Sequence, residues 1–242
     1  MALRKCWALP HRLSLVETKT CPLCGTLACH DGMALSRLYC ACNNCDLRFI
    51  PPGFHLSPEQ EYNRYLLHQN SLSDEGYVQF LMVAVKCVKT YLHKKTPSLP
   101  TILDFGSGPS PVLVQLLNQE GFRAMGYDPL FGNQVVPGVI LTASLEGQGP
   151  FDAVVSTEAV EHFRNPLIEW AKMTALIRPG GLLVVMTSLV LPETNLSSWY
   201  YAKDPTHIAF YSTSTFRYIG DHWGLSLVET NGRNWVVMRK NF

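Results

Sequence analysis

Charge is scarce in this sequence. Asp, Glu, Lys and Arg make up 16% of its 242 residues and leave a formal net charge of +1. A balance so near neutral gives no strong electrostatic pull toward nucleic acid or an anionic membrane. Long apolar runs are missing too, and nothing approaches the roughly 20 residues of a membrane-spanning helix. The opening residues, MALRKCWALPHRLSL, carry basic side chains but no sustained apolar core. No secretory leader is expected, and the chain reads as cytoplasmic. Internal repeats are absent. Cysteine all but vanishes after residue 46: seven of the eight lie before it and Cys87 alone follows. A disulfide framework is out of place in such a chain, so the crowded thiols point to a metal. What remains is a globular composition, 47% hydrophobic, long enough for one α/β domain with a small appendage.

The appendage comes first. Cys21-x2-Cys24 and Cys42-x2-Cys45 are separated by 17 residues. Each pair presents two thiolates from one tight turn, and the spacer forms a hairpin that brings the pairs together, the pattern of a structural zinc ribbon. Cys29, His30 and Cys40 are surplus; Cys40 in place of Cys42 would make a poorer C-x4-C turn. Residues 39–42 and 47–50 read as strands flanking the second turn. A zinc-ribbon domain is expected over 1–52 and a second domain over 53–242, opening with a helical cap and linker at 53–100. Ser57-Pro58 marks a helix start, and 74–94 an amphipathic helix.

The second domain is organised around TILDFGSGPSPVLVQLLNQEGFRAMGYD, residues 101–128. An apolar strand carrying Asp104 breaks into Gly106-Ser107-Gly108. A helical pattern follows, Gly121 stops it, and a second strand ends at Asp128, 20 residues after Gly108. Strand, glycine turn, helix and strand ending in an acid form half of a nucleotide-binding sheet. Further strands are expected at 139–142, 151–156, 182–187, 225–230 and 235–239, with helices at 166–178 and 213–223. The helix that should join the second and third strands is reduced or missing.

With an acid before the first glycine, D-x-G-x-G-x-S resembles motif I of the class I S-adenosylmethionine (SAM) methyltransferases, with Ser110 where a third glycine is usual. Arg178-Pro-Gly-Gly before an apolar strand is similar to that family too. The resemblance covers about residues 60–242 and implies an α/β fold, a seven-stranded Rossmann-like sheet behind the ribbon. It implies SAM contacts from Asp104, Phe105, Gly106, Ser107, Gly108 and Pro109, from Asp128 and Pro129, from Ser144, and from Thr157 and Glu158. Tyr65, His68 and Asn70, ahead of motif I, are placed at the same pocket or in a solvated loop.

After the fourth strand comes Glu158-Ala-Val-Glu161-His162. If a helix starts there, these three side chains share one face, and two carboxylates with an imidazole suit a divalent metal with open positions. E-x-x-E-H with a later histidine resembles two metal-dependent O-methyltransferase groups, one of ubiquinone biosynthesis and one acting on small-RNA 3′ ends. That resemblance implies Glu158, Glu161, His162 and His207 as ligands of a second divalent metal. Without a metal, His162 or His207 is an ordinary base. Trp199, Tyr200, Tyr201, Phe210 and Tyr211 crowd the same loop, either to stack an acceptor or as a packed cover.

The expected activity is SAM-dependent methyl transfer to a hydroxyl of a small molecule, with Glu161, His162 and His207 as catalytic residues. The alternatives are an RNA-directed methyltransferase and a non-catalytic SAM- and zinc-binding adaptor. The layout of the first resembles the rRNA guanine-N1 methyltransferases. In residues 1–50, six basic residues stand against three acids, a weak RNA footprint.

Overall fold

The computed structural model describes residues 19–67, 70–92 and 98–242. In chain order the ribbon holds β1 (Lys19–Thr20), β2 (Leu27–Ala34), β3 (Arg37–Ala41) and β4 (Arg48–Phe49). Two helices follow, α1 (Pro58–Tyr65) and α2 (Glu75–Tyr91). Then come β5 (Thr101–Phe105), α3 (Val112–Gln119), β6 (Arg123–Tyr127), β7 (Ile140–Thr142), β8 (Phe151–Thr157), α4 (Pro166–Ala175) and β9 (Ile177–Met186). The chain closes with β10 (Ala209–Phe210), α5 (Thr213–Trp223), β11 (Leu225–Thr230) and β12 (Trp235–Lys240). Ser57 caps α1 in a reciprocal pair with Gln60, and Asp74 caps α2 through the Tyr77 N–H, each satisfying N–H groups that have no partner inside the helix.

The main sheet has seven strands in the order β11-β12-β9-β8-β5-β6-β7. β5 to β9 run parallel, and β12 and β11 add the antiparallel edge. The parallel strands are buried on both faces, hence the near-continuous apolar runs of β8 and β9. Strand order reverses beside β5, which opens a crevice beyond the carboxyl ends of β5 and β8. One face is covered by α2 and α3, whose Leu81, Val85, Leu113 and Leu117 pack on Ile102, Val155 and Val184. The other is covered by α4 and α5 through Trp170, Ile219 and Phe216.

The same second core contains Cys21, Leu23, Cys42, Cys45, Leu47 and Phe49. The ribbon therefore packs into the α4–α5 face of the main sheet. Its own sheet, β1-β2-β3-β4-β10, is completed by a strand from the far end of the chain, with Ala209 opposite Phe49 and Phe210 opposite Arg48. This pairing spans some 160 residues, while the two strands expected beside the second cysteine turn are present as β3 and β4. β9 also starts five residues earlier than expected, at Ile177. Arg178 and the following turn stay in the sheet through an irregular register opposite β8. No helix joins β6 to β7, as the short link requires.

Candidate active site

The crevice is a cavity of about 930 Å³, near the top of the ~300–1,000 Å³ range of small-molecule sites. Asp104, Phe105, Gly106, Ser107, Gly108 and Pro109 line it, with Asp128, Pro129, Thr157 and Glu158. Gly106 has φ +85°, and a Cβ there would meet the Ala159 Cβ at 2.6 Å, so only glycine lets the loop pass under β8. Asp128 Oδ2 accepts from the Gly108 N–H at 3.0 Å, and its Oδ1 accepts from the N–H groups of Leu130 and Phe131 at 2.8 and 3.0 Å. Asp128 thus ties the glycine loop to the turn after β6. That turn lies against β7: a Cβ on Gly132 would sit 2.0 Å from the Thr142 carbonyl oxygen. Pro129, Leu130 and Phe131 accordingly form the cavity wall, and Ser144, expected at the cofactor, is not among its lining residues. Tyr65 and Asn70 do line the cavity; His68 lies outside the described residues.

Two buried polar atoms at the loop have no hydrogen-bond partner, Asp104 Oδ1 and Ser107 Oγ. An unpaired buried carboxylate oxygen costs free energy unless a ligand meets it. Burial, and then the Asp128 charge, push Asp104 up to about 8. Tyr77, at the first turn of α2, is pushed up to about 12 by burial and then by the Asp104 charge. Its apolar spacing marks it only as core, yet its side chain lines the cavity. These features fit a ligand with a cationic end at Asp104, as SAM has.

Beyond β8 the backbone departs from the expected helix. Glu158 has φ +49°, and only a single 3₁₀ turn, Val160–His162, follows. The i, i+3, i+4 face is therefore not formed. Glu161, His162 and His207 present ligand atoms that all lie within 4.8 Å of one another, and Glu158 stands apart from this group. Glu158 is exposed to the open cavity, yet the protein crowding its carboxyl displaces solvent there, and this, and then the Glu161 charge, hold it well above the usual carboxylate range.

The three-residue cluster is tightly held. Glu161 is fully buried. Its Oε2 accepts from the Thr187 hydroxyl at 3.0 Å and its Oε1 from the Tyr201 hydroxyl at 2.5 Å. His162 Nδ1 donates to the Thr206 carbonyl at 3.0 Å and His207 Nδ1 to the Tyr201 carbonyl at 2.7 Å. A carbonyl accepts only from a protonated nitrogen, so both rings keep a proton on Nδ1 and leave Nε2 free. The Nε2 atoms lie 3.9 and 4.0 Å from Glu161 Oε1. Fixing imidazoles through the far nitrogen is how metal-ligating histidines are oriented. Burial, outweighing the Glu161 charge, pushes His207 down, so its imidazole is neutral near pH 7. The donor set of one carboxylate and two imidazoles fits a divalent metal there.

Of the expected loop aromatics, Tyr200 and Tyr201 line the cavity. Phe210 and Tyr211 are buried, the Tyr211 hydroxyl donating to the Val160 carbonyl at 3.0 Å. They hold the 3₁₀ turn in place. Thr187, a hydroxyl ending the fifth parallel strand, was unmarked in the sequence because nothing local distinguishes it. In the ribbon, the Sγ atoms of Cys21, Cys24, Cys42 and Cys45 lie within 4.8 Å of one another, with Cys21–Cys45 at 3.6 Å and Cys24–Cys42 at 3.3 Å. Four thiolates tetrahedral about a zinc at ~2.3 Å would be ~3.8 Å apart, so the set fits that ion. Cys40 is buried and outside the set.

A family profile described as a methyltransferase domain matches residues 77–230. The chain belongs to this methyltransferase family. It is an enzyme of SAM-dependent methyl transfer. No curated protein matches the chain. Among solved structures it is similar to magnesium protoporphyrin IX methyltransferase from Synechocystis PCC 6803, solved with S-adenosylhomocysteine (SAH) bound. The two share 16% identity and a TM-score of 0.53, over 78% of this chain and 96% of that one. It is also similar to the 1,6-didemethyltoxoflavin-N1-methyltransferase of Burkholderia thailandensis, with 16% identity and a TM-score of 0.51 over 88% and 99% of the two chains. At such identities the likeness concerns the fold. Among the described residues, no helix of this methyltransferase is long and apolar enough to cross a membrane.

Proposed function

We propose that this methyltransferase acts on a hydroxyl of a small molecule. In this reading Glu161, His162 and His207 hold a divalent metal at the acceptor end of the cavity, and Cys21, Cys24, Cys42 and Cys45 hold a structural zinc. The observation that carries the reading is the convergence of Glu161 Oε1 and the two free Nε2 atoms beside the glycine loop. SAM, when bound, supplies a methyl group on a sulfonium sulfur. A divalent metal, when bound, lowers the pKa of an oxygen it binds. The residues do the rest. Asp104 Oδ1 would accept from the ammonium of the methionine end, and Asp128, already accepting three hydrogen bonds, would keep one lone pair on Oδ2 for a ribose hydroxyl. Without that metal, His207 Nε2 would instead be the unprotonated nitrogen able to accept the acceptor's proton.

A small acceptor is favoured over RNA by how two arginines among the ribbon's described residues are used. Arg37 donates to carbonyls of the 202–207 loop, and Arg48 pairs with Asp31 at 3.2 Å. Neither is left for a phosphate backbone.

Gly106→Arg tests the SAM site. Its Cβ would meet the Ala159 Cβ at 2.6 Å, on the wall of the cavity, so the added side chain crowds the place where the glycine loop meets the ligand space. Calorimetry should show SAH affinity lost, with folding intact by circular dichroism. A folded Gly106→Arg protein with unchanged affinity would refute the placement.

A further inference from the structure

The 188–212 loop delivers His207 to Glu161, yet among its described residues it contains only the 3₁₀ turn Tyr200–Lys203 and the two-residue β10. A segment so poor in regular structure has many conformations unless something outside it selects one. The ring of His207 is held from within the loop, by the Tyr201 carbonyl. The loop itself is held by the ribbon. Arg37 NH1 donates to the carbonyls of Pro205 and His207, both at 3.2 Å. Its NH2 donates to the Asp204 carbonyl at 3.3 Å, to the Ala202 carbonyl, and to the Tyr39 hydroxyl at 3.2 Å. Four carbonyls of one loop thus face a single guanidinium. Next along, the Ile208 N–H donates to the Glu161 carbonyl, and the Ile208 carbonyl accepts from the Ile50 N–H, both at 2.9 Å. One residue after His207, the chain is fastened to the ribbon on one side and to the Glu161 backbone on the other.

The ribbon is shaped for this. Arg37 follows a two-residue hairpin turn in which Leu35 and Ser36 have φ of +51° and +59°. That is a left-handed backbone for two residues with side chains, uncommon and uphill for leucine. The second cysteine turn, Cys42 to Cys45, sits between β3, which carries Arg37, and β4, which pairs with β10. The Cys42 N–H donates to the Leu47 carbonyl at 2.9 Å, setting the two strands relative to each other.

We propose that Arg37 is a positioning residue for His207, and that the cysteine ribbon serves the active site by aiming it. The guanidinium gathers the carbonyls of residues 202–207, and this fixes the direction of His207 Nε2 toward Glu161. Lysine is a poor substitute: it is a point charge with three donors, whereas arginine offers a planar fork with five. The catalytic consequence rests on the reading of His207 given under Proposed function; the positioning itself does not.

The experiment is nitrogen-15 NMR of the histidine rings in zinc-loaded protein with SAH bound. Wild type should show His207 as a single Nδ1–H tautomer. In Arg37→Gln that signature should average between tautomers, while His55, whose Nε2 lies 2.7 Å from the Ile50 carbonyl, keeps its own. Manganese(II) affinity, read by electron paramagnetic resonance, should fall at least tenfold. Met33→Ala, on the same hairpin and 60% exposed, should change nothing. Should Arg37→Gln fail to fold, Arg37→Lys carries the same reading, keeping the charge but not the fork. An unchanged His207 signal in either folded variant overturns the proposal. So does equal disturbance of His55 and His207, which would mean general loosening of the ribbon. A moved His207 signal in protein that binds no manganese(II) even as wild type upholds the positioning and removes the metal reading instead.

Discussion

Asp104 is the residue on which the proposed cofactor site depends most. Its folded value of about 8 lies above the ordinary 3.8. As pH rises the unfolded chain loses this proton first, so ligand-free protein should lose stability progressively from about pH 4 to pH 8. A ligand ammonium at Oδ1 favours the ionised form. SAH binding at pH 7 should therefore release a proton, and affinity should rise with pH up to about 8. Calorimetry in buffers of different ionisation enthalpy checks this. A binding enthalpy independent of buffer would mean that Asp104 does not meet the ammonium. Glu161 and Glu158 show how environment separates like residues: one accepts from two hydroxyls in full burial, the other faces the cavity with its carboxyl pushed up.

At the scale of elements, the proposed ribbon zinc depends on which thiols would hold it. Cys42 is one of the four converging sulfurs, and Cys40 lies two residues before it in β3, buried but outside the set. Cys42→Ser should lose the zinc and Cys40→Ser should keep it, by elemental analysis of about one zinc per chain. Zinc lost from Cys40→Ser would show that the thiol set is wrong. Much at this scale was legible in the sequence. Asp104, Gly106, Gly108 and Asp128 marked strand, turn and strand by local chemistry, and the C-x2-C spacing marked the two cysteine turns. The left-handed Glu158 was not legible: E-x-x-E-H reads as a helix face, and only the packing of β8 against the glycine loop turns the backbone there. Nor was the pairing of β4 with β10, because periodicity reports a strand's faces but not a partner some 160 residues away. Arg37 looked like part of a basic surface because its acceptors are backbone carbonyls, which carry no signature in the sequence.

For the whole molecule, one core spans the ribbon and the α4–α5 face of the main sheet. If the four thiols hold zinc as proposed, removing it should therefore lower the melting temperature of the entire protein in a single calorimetric transition. An independent, earlier ribbon transition would mean that the two parts do not share stability. The cavity joins elements from every part of this assembly: the cap, the glycine loop, the turn after β8 and the loop that the ribbon holds. At its acceptor end, Glu161, His162 and His207 are proposed to form one metal site beside the cofactor. Manganese(II) tests it most directly, because it is a weak competitor for thiolates and leaves zinc on the ribbon. Titrated into zinc-loaded, SAH-bound protein, it should bind at about one site per chain. His207→Ala should abolish that site while keeping the zinc and the SAH affinity. No manganese(II) uptake by wild type, or equal uptake by His207→Ala, would contradict the account.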